Sequence, residues 1–229
     1  MLNPYYYDPT FLLLIPALAL ALWAQYKVKS AYAKYAKVKV EKVSSAADLA
    51  RALLDSAGAE NIPIEKIPGQ LTDHYDPLKK VLRLSQGVYE SNSVAALGIA
   101  AHEVGHVLQH QKAYWPLMVR NRFFPAANIG STLAFPLFVL GFFFAIPILM
   151  NIGILIFTFA VAFQVITLPV EFDASGKALQ LLEKGRYLDA QGLQGAKAVL
   201  SAAALTYIAA TAMAVLQLIR LLILRDRRD

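Results

Sequence analysis

One short run of the chain carries the residue types of hydrolytic metal chemistry: His102-Glu103-Val104-Gly105-His106. It lies in a stretch, 94 to about 112, that reads as a helix with Ser93 as its N-cap. Residues four apart on a helix share a face, so both imidazoles can reach one metal ion. The glutamate between them points close enough to activate a water molecule held there. Two ordinary histidines on a buried helix are the plain alternative. With 4 His in 229 residues, the coincidence of spacing and helical context favours the H-E-x-x-H reading.

A catalytic zinc takes three protein ligands and keeps one position open. His110 lies one turn beyond His106 but about 12 Å along the helix axis from His102, too far to complete the same site. The longer pattern H-E-x-x-H-x-x-G-x-x-H also fails, because Gln109 stands at the glycine and Lys112 at the third histidine. His110 therefore reads as an interfacial polar residue. Glu171 is the better candidate. It follows an apolar span directly after Pro169, where a membrane hairpin would return the chain to the helix that carries the motif. A solvated helix start is the simpler role for an acidic residue there. The chain has no cysteine, which excludes a disulfide framework and a thiolate zinc site and leaves His and carboxylate as the donors.

The elements that position these residues are mostly apolar. Hydrophobic residues make up 57% of the chain and charged residues 17%, with a mean hydropathy of +0.46. Soluble domains hold about 45–50% apolar residues, so a membrane protein is the expected class. Four apolar segments stand out at 11–26, 132–150, 152–168 and 199–224. The first has Trp23 and Tyr5 to Tyr7 as interfacial anchors. It reads as an uncleaved anchor, since no Lys or Arg precedes it and no small-x-small site follows. The second and third read as a hairpin turning at 151–153, with Pro136 and Pro147 kinking the first arm. The fourth is rich in Ala, with Ser201, Thr206 and Thr211 suited to close helix packing.

The net charge of +6 is concentrated in a lysine run at 27–42, directly after the first span. Juxtamembrane charge explains it better than nucleic-acid binding, which is excluded. The run directs its side to the cytoplasm and the N-terminus outside. Arg225, Arg227 and Arg228 then fall outside, against the same rule.

The expected architecture is a mainly α membrane protein of about four transmembrane helices with a small α+β zincin-like cytoplasmic region. Its parts are an anchor (1–26), a cytoplasmic α+β region with the motif helix (27–130), a hairpin (131–169), a cytoplasmic segment with the third ligand (170–198), and a last span with a basic tail (199–229). Within 27–130, Ser45 and Asp48 form a capping-box pattern before a helical run at 49–57 that Gly58 ends. Strands are expected at 62–64 and 81–85, with a turn at 73–77 between them.

Several runs carry a specific likeness: Leu71-Thr-Asp-His-Tyr-Asp-Pro77, Ala101-His-Glu-Val-Gly-His-Val-Leu-Gln-His110, Tyr114-Trp-Pro-Leu117, Asn128-Ile-Gly-Ser131 and Leu168-Pro-Val-Glu-Phe-Asp-Ala-Ser175. Together they resemble the YugP-type neutral zinc metallopeptidases, prokaryotic integral membrane proteins, over about 4–222. The resemblance implies a zinc endopeptidase with one Zn2+ per chain, His102, His106 and Glu171 as ligands and Glu103 as catalytic base. A more remote likeness is to HtpX-type and CaaX-prenyl membrane proteases, whose E-x-x-A-D run supplies the third ligand and a carboxylate for a zinc-bound imidazole. Here Ser175 replaces that Asp, so Asp173 or another group must orient the imidazole. Loss of such a carboxylate weakens zinc affinity by about 10–100-fold. His74 and Tyr75 are the oxyanion candidates within the family-like runs, with Arg120, Arg122 and Arg186 as further cations. By analogy with zinc proteases, the strand at 81–85 is expected to pair with an extended substrate.

The function expected is that of a multi-pass membrane zinc protease in a prokaryotic cell membrane, opening on the cytoplasmic side. Its partners would be a membrane-associated protein or peptide substrate and lipid, with self-association or a membrane partner protein left open. The alternative is a catalytically silent or partner-dependent scaffold that keeps the zinc site. The presence of Glu103, which metal binding alone does not need, argues against it. Transport is excluded, because the spans hold no His, Asp or Glu, and Gln164 and Gln217 serve helix packing.

Overall fold

The apolar composition emerges as four helices long enough to cross a membrane, in a computed structural model that describes residues 8–227. The expected anchors Tyr5 to Tyr7 and the tail residue Arg228 lie outside the described residues. In order, a 3-10 turn (Pro9–Leu14) leads into α1 (Ile15–Tyr35), followed by α2 (Ala46–Ser56), β1 (Ile64–Ile67), β2 (His74–Asp76), β3 (Val81–Ser85), α3 (Gln86–Tyr89), α4 (Val94–Gln111), α5 (Trp115–Phe143), α6 (Pro147–Lys184) and α7 (Ala190–Asp226). They form two units. One comprises 8–24, Val119–Leu168 and 206–227. The other comprises Gln25–Met118 and Pro169–Leu205.

The first unit holds the apolar stretches. Its helix hairpin turns at 144–146, with Ala145 at φ +55°, not at 151–153 as the sequence suggested. Pro147 begins α6, where its missing N–H costs nothing, so it does not kink the first arm. Asn151 and Gly153 are helical. A Cβ at Gly153 would lie 2.7 Å from the Ala134 carbonyl oxygen, so this glycine serves close approach of two helices. Pro125 and Pro136 both sit inside α5, and Pro169 inside α6. Phe138, Met150, Ile154 and Leu221 form the buried apolar cluster. Near the end of α7, buried Arg220 donates to Asp8 (2.7 Å) and Thr10 (3.1 Å) and lies 3.7 Å from the centre of the Phe11 ring. This pair ties the first described residues to the last turns of α7, so both ends of the unit lie together.

The second unit carries the sheet and α4. Ser45 caps α2 and its hydroxyl donates to Asp48, as the capping-box pattern indicated. Leu49, Leu53 and Leu54 from α2 pack with Leu82 and Leu84 from β3 and Leu97 and Val104 from α4 in one buried core. The sheet order is β1-β3-β2, with β1 parallel and β2 antiparallel to β3. β1 starts at Ile64, two residues later than the sequence indicated. Pro63 has no N–H for a ladder and contributes only its carbonyl, to Leu82.

The turn expected at 73–77 is instead a strand at its centre: His74, Tyr75 and Asp76 pair with Arg83, Leu82 and Val81. The reversal follows, where Asp76 accepts from the backbone of Leu78 and Lys79. β3 is the central strand, with partners on both sides, so it offers no open edge to a substrate. The expectation that residues 81–85 add a substrate strand is therefore incorrect for this fold.

Candidate metal centre

Ser93 caps α4 by accepting from Ala96, and the helix runs to Gln111, as its spacing indicated. Most of α4 is buried, which makes its inward polar groups costly unless they are partnered. His106 and Glu103 are buried and His102 is half-buried. α6 passes across this helix at close range: a Cβ at Gly105 would lie 2.6 Å from the Ala174 carbonyl oxygen. That approach delivers Glu171, which is 4% exposed, to the two imidazoles. Its Oε2 lies 3.3 Å from His102 Nε2 and 3.7 Å from His106 Nε2. The three residues offer ligand atoms within 4.8 Å of one another, close enough to share a single ion. The two rings meet edge-to-face at 4.8 Å, so their Nε2 atoms converge while their Nδ1 atoms point outward.

Each Nδ1 has a partner. Ser175 Oγ lies 3.1 Å from His102 Nδ1, and Gln109 Oε1 lies 2.9 Å from His106 Nδ1. Asp173 touches neither imidazole. It accepts from Gln109 Nε2 (2.7 Å) and pairs with Lys177, whose ammonium sits over the Tyr114 ring. Gln109 was missed as a functional residue in the sequence, where it counted only as a failed glycine. Its place one turn after His106 was the available signal.

Glu103 Oε2 accepts the backbone N–H of Tyr75 at 3.0 Å. Burial pushes its carboxyl up to about 7, and the nearby Glu171 and Asp73 charges act in the same direction. Asp73 is itself raised by burial, although it accepts from Ser85 N and Oγ. The Tyr75 hydroxyl lies 2.8 Å from His110 Nδ1, so His110 has a specific partner within the fold. His74 points to the other face of β2, where it contacts the Thr72 carbonyl and Arg83. Arg186 lies in the turn after α6, and Arg120 and Arg122 belong to the other unit.

A family model described as "Putative neutral zinc metallopeptidase" matches residues 10–226. The chain belongs to this family. Among curated proteins, the chain is 44% identical over 218 residues to the "Putative membrane protease YugP" of Bacillus subtilis (strain 168), covering 95% of this chain and 97% of that protein. No solved structure matches. Zinc, which the family description implies, fits the donor set: two imidazoles turned inward by their Nε2 atoms, one carboxylate and no competing thiolate.

The α4–α6 approach predicts a contrast between two helical glycines. A Cβ at Gly98 would meet the Ala196 methyl at 3.4 Å, an ordinary contact, whereas at Gly105 it would collide with backbone. Gly98→Ala should change stability by no more than about 1 kcal/mol, helped by helix propensity. Gly105→Ala should destabilise by about 1–3 kcal/mol through overpacking and lower zinc affinity by separating α4 from α6. Thermal unfolding in detergent and zinc titration of both variants measure this. Equal effects would mean the close approach is not what sets the site.

Proposed function

We propose that the protein is a membrane-embedded zinc metalloprotease whose site opens on the cytoplasmic side, with Glu103 as general base. The observation that carries this reading is the convergence of His102, His106 and Glu171 around a space beside a glutamate that is not one of the three. Metal storage would need the three donors alone. Zinc bound there supplies Lewis acidity, polarising a carbonyl and making water more acidic.

The chain's own groups do the rest. The Tyr75 N–H fixes Glu103 Oε2, leaving Oε1 to take a proton from water and pass it to the leaving amine. Tyr75 and Glu103 together hold the base between β2 and α4. β2 has a strand partner on one side only, and its Tyr75 N–H is already taken by Glu103. The test is cleavage of an unfolded protein by detergent-purified enzyme with zinc, abolished by a chelator. One zinc per chain should be retained, and His106→Ala should lose it.

Orientation rests on the lysine run at 27–42 and on the joined ends of the first unit. An even number of crossings brings both ends to one side, and the Asp8–Arg220 pair links those ends. The same pairing neutralises Arg220, while Arg225 faces Asp226 at 3.7 Å, which reduces the conflict posed by a basic outer tail. The absence of cysteine makes this testable by single-cysteine labelling. Lys37→Cys and Lys79→Cys should react with an impermeant maleimide in inside-out vesicles and not in intact cells. Labelling of either in intact cells would reverse the orientation.

Glu103 also sets a pH dependence for chelator-treated protein. Its folded pKa lies above its unfolded value, so the stability it contributes is fully present below about 4.5 and is lost as pH rises through about 7. At one unit per 1.36 kcal/mol, the loss reaches at most about 3 kcal/mol. The thermal midpoint of metal-stripped protein should fall between pH 5 and pH 8, and Glu103→Gln should flatten that slope. An unchanged slope in the variant would remove Glu103 as its source.

A further inference from the structure

Gln109 is completely buried in α4, one turn after His106, and every hydrogen-bonding atom of its amide is engaged. Its Nε2 faces the Val170 carbonyl at 2.8 Å and Asp173 Oδ2 at 2.7 Å. A carbonyl has no proton to give, and the same Asp173 Oδ2 also accepts from the Lys177 ammonium. Both partners are therefore acceptors, and together they use the two amide N–H groups. This fixes which way the amide lies: Oε1, an acceptor, must face His106 Nδ1. His106 Nδ1 must then carry a proton, and whenever the ring is neutral its Nε2 presents a lone pair toward Glu171 and the shared space.

His102 is not constrained in this way. Its Nδ1 partner is the Ser175 hydroxyl, which can donate or accept. His102 thus has a serine beside it, whereas His106 is linked to a carboxylate, Asp173, through an amide.

We propose that Gln109 is a positioning residue that locks His106 in the Nδ1–H tautomer, relaying the orientation of Asp173 and Lys177 so that His106 Nε2 is ready to bind metal. The tautomer lock stands without any metal. Its consequence for affinity rests on His106 being a ligand, the reading given under the proposed function.

The experiment is 15N spectroscopy of histidine side chains in chelator-treated, detergent-purified protein, with zinc affinity measured on the same samples by chelator competition. With 4 His in the chain, the His106 pattern is identified by its absence in His106→Ala. Wild type should show His106 protonated at Nδ1, and at Nδ1 alone wherever the ring is neutral. Gln109→Leu should lose that single state and bind zinc about 10–100-fold more weakly, the usual cost of removing a group that orients a ligand.

Gln109→Glu, nearly the same in volume, should also weaken zinc binding, because it sets one carboxylate against another at Asp173. Adding Asp173→Asn restores a donor at one of the two contacts, leaving the Val170 carbonyl unpaired, and should recover part of the lost affinity. If Gln109 only fills space, Gln109→Glu binds zinc as wild type does and the second change does nothing, which overturns the proposal. So does a wild-type His106 that shows the Nε2–H tautomer. These isosteric variants keep the test decisive if Gln109→Leu does not fold. Wild-type protein that keeps the Nδ1–H state but binds no zinc would support the lock and overturn the metal reading alone.

Discussion

Glu103→Ala should abolish cleavage of an unfolded protein substrate and leave zinc bound. Glu103 is not among the three converging donors, and its Oε2 is occupied by the Tyr75 N–H, so its removal spares the metal set. What is lost is the proton acceptor. A positioned general base contributes about 10²–10⁴-fold, which corresponds to about 3–5 kcal/mol of barrier. The carboxyl is also a strained group, since burial holds it at about 7. Metal-stripped Glu103→Ala should therefore be no less stable than wild type at pH 8, a trade of stability for function common at active sites. Zinc retained with cleavage unchanged would exclude Glu103 as base. Absence of cleavage by wild type across broad substrates, with zinc bound, would favour the silent or partner-dependent scaffold.

Glu171→Ala should have the second-largest effect, and on binding itself. Its Oε2 is the atom on which both Nε2 atoms converge, at 3.3 and 3.7 Å, and the residue is nearly sequestered from solvent. Groups that merely orient a ligand are worth about 10–100-fold in affinity, so loss of a ligand should exceed about 100-fold. Cleavage should vanish at zinc concentrations that saturate wild type and return in part at high zinc. Ser175→Ala should cost far less, because a serine that can donate or accept constrains His102 weakly. If Glu171→Ala retains wild-type affinity, the third donor lies elsewhere.

The centre of the site was legible in the sequence because helical periodicity states its own geometry. Ser93, the apolar run and the i, i+4 histidines determine a helix and a face without reference to the rest of the fold. Glu171 was legible as a position, next to Pro169 at the end of an apolar stretch, but its distance to the imidazoles depends on the Gly105–Ala174 approach, which only tertiary packing creates. Gln109 was hidden for the same reason: its partners Val170 and Asp173 lie more than sixty residues on.

In the sheet, Asp76 carried a true turn signal that the sequence reading centred too early, and the pairing of β2 with β3 set the strand. That β3 is central and not an edge is a property of strand order, which no local pattern encodes. The hairpin turn was misplaced because Asn151 and Gly153 resemble a turn in water, whereas in packed apolar helices a glycine admits a neighbouring backbone.

The most direct measurement is the rate of cleavage of an unfolded protein by chelator-stripped enzyme as zinc is added back. The account predicts no cleavage without zinc, a rise that saturates at one zinc per chain, and no rise for Glu103→Ala over the same titration. Cleavage that persists through chelation, or stoichiometric zinc binding by wild type that restores none, would contradict it.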